Sequence, residues 1–415
     1  MRSKLALVVL TLCALLALPG LASAATINVA ADFAAIQAAI NGANPGDTVQ
    51  VAAGTATLGP ADIITIPASK LGLRLVGAGV GQTILQKSSA ASYYDHPILR
   101  VGPAAAPSYP APASTVVEGF TFKNSGDPAP PLTPTSAAVA APIAIDIQAS
   151  GASAADPGVV RNCEFLYFNE VGIVITEAGS GGHRYWDFSN NSFESKIGIW
   201  PNAADFISIR DNVFRNYSVP VGVDNTDVVI NLTITGNDFL GGGYVPNVSR
   251  YRGIQLSAAA DEADQVRNWN ISNNYITDST YGIAIQAAPN GVESLTGVVI
   301  QNNYIFGNTR TGTVPQTPAY ADLWNASTKP LVATNNWWGQ ASGPASGQIV
   351  GLITTEPYLT ALSEDRPAGA VGFWPASVAP PVVSTPASSM WSLVLAALAA
   401  LTGLWFARRR ESLAG

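Results

Sequence analysis

Between about residues 160 and 340 one short phrase recurs with variation: a β-rich stretch, then Asn or Asp, then a large apolar residue. It appears as Arg161-Asn162-Cys163-Glu164-Phe165, Asn190-Asn191-Ser192-Phe193, Asp211-Asn212-Val213-Phe214 and Gly236-Asn237-Asp238-Phe239. It continues as Asn273-Asn274-Tyr275-Ile276, Asn302-Asn303-Tyr304-Ile305 and Asn335-Asn336-Trp337-Trp338. The closing apolar residues fall at 165, 193, 214, 239, 276, 305 and 338. A period in this range belongs to units that bury their apolar faces only against their neighbours.

Each phrase is followed by Gly among alternating apolar residues, as in Val171-Gly172-Ile173, Ile197-Gly198-Ile199, Val221-Gly222-Val223, Gly253-Ile254 and Gly282-Ile283. Segments such as Phe206-Ile207-Ser208-Ile209 and Asn231-Leu232-Thr233-Ile234 precede it. The alternation has period two and the residues are mostly β-branched, which predicts strands on both sides of the Asn. At such a corner Asn tolerates positive φ better than other non-glycine residues. Stacked in successive turns, its amides can also hydrogen-bond along the stack. The Asn-x-Ser/Thr triplets at Asn231 and Asn270 read as by-products of this strand composition.

The pattern resembles the right-handed parallel β-helix family, the pectin-lyase-like fold, over roughly Thr26 to Leu359. The chain is expected to be all-β, a solenoid over residues 25–364 with a short N-terminal capping helix and a C-terminal transmembrane helix. The capping helix is Asp32-Phe33-Ala34-Ala35-Ile36-Gln37-Ala38-Ala39-Ile40 with Asp32 as N-cap, and Thr48-Val49 opens a first strand. Asn335-Asn336-Trp337-Trp338-Gly339 is similar to the closing rung of bacterial β-helix proteins.

Both termini carry export features. Arg2 and Lys4, the apolar run Leu5 to Leu18 and Ala22-Ser23-Ala24 make residues 1–24 a secretory signal. One cysteine then remains, Cys163, expected as a buried small hydrophobe. Residues 365–389 form a Pro-rich linker. Met390 to Ala407 is an apolar run followed by Arg408-Arg409-Arg410. At about 1.5 Å per residue it reaches roughly 27 Å, enough to cross a bilayer with the basic end in the cytoplasm. The tail resembles the IPTL-CTERM sorting domain, a relative of the PEP-CTERM type, through Pro386, Ser389, Trp391 and Arg408, Arg409 and Arg410. Ala387 and Ser388 depart from that family's Thr and Leu. The resemblance implies a sorting protease in the membrane and a surface location on a Gram-negative bacterium.

Residues 25–385 hold 16 basic and 27 acidic side chains, a formal charge of −11. That argues against nucleic acid, and against acidic polysaccharide held by charge alone. Neutral glycans and calcium remain compatible, and no cofactor is required.

In the pectin-lyase-like family catalytic groups lie on an exposed strand face and in its flanking loops. Asp224-Asn225-Thr226-Asp227 is similar to the polygalacturonase Asn-Thr-Asp-Gly motif, with Val228 in place of Gly. The family's later Asp pair, Gly-His-Gly and Arg-x-Lys are not found downstream. A calcium-dependent lyase would draw on Asp205, Asp224 and Asp227 with Arg210 or Arg215, or on Asp261, Glu262 and Asp264. His183-Arg184-Tyr185-Trp186 is a candidate sugar platform, with Tyr185 and Trp186 to stack on the rings and a core-covering role for Trp186 as the rival. The expectation is a surface-anchored protein with a binding or structural role toward extracellular polysaccharide or matrix. The alternatives are a lyase, hydrolase or epimerase of the same fold, and a self-associating surface layer.

Overall fold

The structure, a computed structural model, describes residues 24–361 apart from 89–95, 103–113, 125–142, 177–182, 203, 242–250 and 311–316. These residues belong to a unit that ends at Arg366. The secretory signal up to Ser23, the Pro/Ala-rich stretches 103–112 and 127–142, the linker, and the apolar tail with Pro386, Ser389, Trp391 and its arginines lie outside the described residues. Among the described residues no helix is long and apolar enough to cross a membrane.

The alternating segments stack into three columns of parallel strands. The first is a ten-stranded sheet from Thr26–Val29 to Val298–Gln301. The other two belong to a seventeen-stranded sheet, because Glu164–Ile175 and Ser192–Pro201 run through both columns. The second column passes through Thr121–Lys123, Val213–Arg215 and Asp238–Leu240. The third passes through Ile145–Ile147, Val219–Gly222 and Tyr281–Gln286. One rung therefore runs from first face to corner, second face, bend, third face and loop. This is a parallel β-helix, with the inward residues of all three columns forming one core.

The corner separates two tasks that the sequence suggested for a single Asn. The first residue turns the chain: Asn162, Asn190, Asp211, Gly236, Asn273, Asn302 and Asn335 all have φ between +52° and +70°. The second residue makes the ladder. The Oδ1 atoms of Asn212, Asn237, Asn274, Asn303 and Asn336 each accept the backbone N–H and the Nδ2–H of the ladder residue one rung earlier, at 2.9–3.1 Å. Each Nδ2 also donates to a strand carbonyl, as Asn237 does to Ile209. Cys163 occupies the next place in this stack and gives its N–H to Asn191 Oδ1. It is buried as expected, and burial raises its thiol to about 12.

Two residues on, the apolar side chains pile up. The rings of Phe122, Phe165, Phe193, Phe214 and Phe239 stack with centroids 4.5–5.2 Å apart, and Ile276 and Ile305 continue the column. The following glycines make room for that stack. A Cβ on Gly198 would lie 2.6 Å from Phe214 Cε1, and one on Gly253 2.6 Å from Ile276 Cγ2. Gly222 does not share this role. Val219 pairs with Ile197 and Val221 with Ile199, so Pro220 is the residue level with Gly198.

The capping helix, α1, spans Phe33–Gly42, and Asp32 accepts the Ala35 N–H at 3.0 Å. Ile36, Ala39 and Ile40 are its buried side. The first strand is Thr26–Val29, before the helix, and Thr48–Val51 pairs onto it. The sequence reading missed it because only four residues carry its alternation.

Candidate functional site

A second row of left-handed residues runs along the outside of the first column. The pairs Arg184 with Asp205 and Trp186 with Ile207 set Tyr185 level with Phe206, and the next strand sets Phe206 level with Asn231. Asn268 and Gly297 continue the row. The φ values are +63°, +53°, +49°, +51° and +77°. Immediately after each comes an anchor, Trp186, Ile207, Leu232, Trp269 or Val298, buried to within 7% exposure. The Trp186 and Trp269 indole N–H groups also donate to the carbonyls of Ala149 and Val229. The backbone must swing outward just before an inward anchor, and positive φ does this in one residue. Gly and Asn accept that conformation readily, whereas a bulky aromatic residue pays about 1–2 kcal/mol.

Two aromatic residues bear this strain. The Tyr185 and Phe206 rings lie 5.1 Å apart at 34°, and Phe206 is 40% exposed. Trp186, in contrast, is 1% exposed, so it covers the core and offers no ring face to a ligand. The candidate pair Tyr185 and Trp186 is thus replaced by Tyr185 and Phe206.

Polar groups flank the rings. Asp205 Oδ2 lies 3.4 Å from Arg184 Nε, and Asp205 Oδ1 accepts the Asn231 amide at 2.7 Å. Asn231 Oδ1 in turn accepts the Asn268 amide at 2.7 Å. The same outer face continues through Asp187, Ser208, Thr233, Asn270 and Val299, paired in register. Arg210 makes a two-pronged contact with Asp187, at 2.8 and 2.9 Å, which raises its already high pKa further.

The proposed acidic set is divided. Asp205 belongs to this face. Asp224 and Asp227 close a turn on each other ahead of the next strand, with Asp227 N donating to Asp224 O at 3.1 Å and Asp224 N to Asp227 Oδ2 at 3.3 Å. Arg215 sits on the second face, in register with Glu194. Asp261, Glu262 and Asp264 are exposed in their loop. Among the described residues no three His, Cys, Asp or Glu side chains gather as a metal site would need. His183 is buried, and desolvation lowers it to about 4, which keeps it neutral.

The outside of the third column is different. Arg100 Nε meets Asp146 Oδ2 at 3.2 Å, and Gln148 and Thr176 also donate to that carboxylate. Beyond them lie Ile143, Val171, Val174 and Ile197 with Trp200 and Val219. Further along, Tyr281, Ala284 and Ala321 are fully buried against Trp324 and Val350. Tyr281 also gives its hydroxyl to the Pro318 carbonyl. Away from the Asp146 network, this outer surface carries small apolar clusters.

Phe206, Asn231 and Asn268 were not singled out from sequence as site residues, whereas Arg184 was, in the stretch His183 to Trp186. A signal existed: Tyr185-Trp186 and Phe206-Ile207 each place two large apolar residues side by side, which breaks the alternation of a one-sided strand.

No protein-family model matches the chain, and no curated protein sequence matches it. Among solved structures it is similar to the ORF18 protein of Geobacillus virus E2, at 12% identity and TM-score 0.40, over 79% of this chain and 60% of that one. It therefore spans less than two thirds of the viral protein. It is similar to the A-module of the Azotobacter vinelandii mannuronan C-5 epimerase AlgE6, at 14% identity and TM-score 0.36, over 78% of this chain and 94% of that one. A Paenibacillus alginate lyase aligns at 12% identity and TM-score 0.31, over 79% of this chain and 99% of that one. At such identities and scores no role passes from these proteins to this chain, and its fold rests on its own strand pairing.

Proposed function

We propose that this chain is an exported β-helix that holds extracellular polysaccharide or matrix at the cell surface. The secretory signal and the basic-ended apolar tail support export and anchoring, with the tail a substrate for a sorting protease. The observation that carries the binding reading is the Tyr185–Phe206 pair. An exposed aromatic surface kept in a strained backbone conformation adds nothing to the core, but suits stacking on sugar rings. Asp205, Arg184 and Asn231 beside it supply hydrogen-bonding partners for hydroxyl groups. The reading needs no metal, and calcium remains an optional partner.

The test is retention of the full-length protein on a panel of immobilised polysaccharides, with and without calcium, alongside Tyr185→Ala. Retention that Tyr185→Ala weakens supports the reading. Retention unaffected by Tyr185→Ala, or no retention on any member, overturns it. New unsaturated or reducing ends in the same incubations would establish the lyase, epimerase or hydrolase alternative instead.

A further inference from the structure

We infer that the ligand of the first outer face is an uncharged linear polysaccharide lying along the coil axis, with its rings on Tyr185 and Phe206 and its hydroxyl groups on Asn231 and Asn268. This rests on the polysaccharide-binding reading and narrows it to a chemical class and a direction.

The direction follows from how the side chains repeat. Tyr185, Phe206, Asn231 and Asn268 occur once per rung at one place in the register, so a matching ligand must extend from rung to rung. Adjacent strands lie about 4.8 Å apart, so these four rungs span roughly 14 Å, the reach of about three sugar units. A ligand lying parallel to the strands would meet only one of these residues.

The class follows from the charges. The two exposed cations on this face already lie against carboxylates, Arg184 on Asp205 at 3.4 Å and Arg210 on Asp187 at 2.8 Å, while Arg267, next to Asn268, is buried against Trp269. A uronate chain would have to displace Asp205 or Asp187, and would approach a body of formal charge −11. The remaining groups are amides and hydroxyls from Asn231, Asn268, Ser208, Thr233 and Asn270, all partly or fully exposed. These pair with hydroxyl groups and carry no net charge.

The outer amide chain also has a polarity. Asn268 donates to Asn231, which donates to Asp205, so each Asn still has one amide hydrogen for a ligand. Asn268 stands three rungs from Tyr185, and only a ligand long enough to span that distance can touch both.

The experiment is calorimetric titration of the full-length protein with neutral oligosaccharides and with oligouronates, each as dimer, tetramer and hexamer. The variants are Phe206→Gly and Asn268→Gly. Glycine accepts positive φ, so both variants keep the backbone while removing the side chain. Neutral oligomers should bind with affinity rising from dimer to tetramer. Phe206→Gly should weaken every length about tenfold, the scale of one lost ring contact. Asn268→Gly should weaken the tetramer and hexamer and leave the dimer unchanged. Preference for oligouronates, affinity independent of length, or an Asn268→Gly effect on the dimer would overturn this inference while leaving polysaccharide binding in place. Absence of binding in both series would overturn both.

Discussion

This molecule contains two ladders of Asn side chains whose amides bond from rung to rung. The inner one, Asn191 to Asn336, is at most 1% exposed, and every amide in it bonds to the next rung or to a strand carbonyl. The outer one, Asn268 to Asn231 to Asp205, repeats the same amide-to-oxygen link where water can reach it. The inner links run toward later rungs and carry a backbone N–H as well, whereas the outer links run toward earlier rungs through side chains. Burial divides them further: it makes the inner amides part of the fold and leaves the outer ones with donors to spare.

The largest consequence belongs to the inner ladder. Asn237→Ala removes the acceptor for the Asn212 N–H and amide and the donor to the Ile209 carbonyl. With about 1–3 kcal/mol for each orphaned group, a loss of about 3 kcal/mol or more is expected in urea unfolding. A loss below about 1 kcal/mol would erase the distinction between the ladders.

A third, shorter chain of amides sharpens it through pH. Ser279 N–H donates to Asn308 Oδ1, and Asn308 donates to Asp322 Oδ1. Asp322 is 1% exposed, and its Oδ2 is buried with no hydrogen-bond partner. Burial therefore raises its pKa from 3.8 to about 6. The folded chain favours the neutral acid, so this contribution is full below about pH 4 and fades as pH rises through 6. Stability measured against Asp322→Asn should fall by about 2 kcal/mol between pH 4 and pH 7. A flat difference would mean that the carboxyl is already solvated.

The outer ladder should respond more weakly. Asn231→Ala keeps the fold but places Ala at φ +49°, costing about 1 kcal/mol, whereas Asn231→Gly should cost less in thermal unfolding. Equal costs for the two would show that the amide, and not the backbone, sets the stability there.

The inner features were legible because each repeats one residue type at one place: Asn at the ladder, Phe or Ile two positions on. The split of the corner into a turning residue and a ladder residue was hidden, because both are often Asn, and only Asp211 and Gly236 in the turning place show the difference. The outer row was invisible as a motif. Tyr, Phe, Asn, Asn and Gly share a backbone conformation and no side-chain chemistry, and loops of unequal length separate them. Gly222 misled for a related reason, since the local spacing matched while the register was set by Val219 and Val221. Asp205 and Tyr185 were found from sequence, but Trp186 took the inward place because positive φ at Tyr185 rotates the next side chain to the core.

The central claim is that the exposed aromatic pair exists for a ligand and costs the fold something. Phe206→Gly reads both at once in the full-length protein, through its unfolding midpoint and its retention on polysaccharide. The account predicts retention reduced about tenfold with a midpoint unchanged or higher, since glycine relieves about 1 kcal/mol of backbone strain. Undiminished retention, or a midpoint that falls as it would after a core truncation, would contradict it.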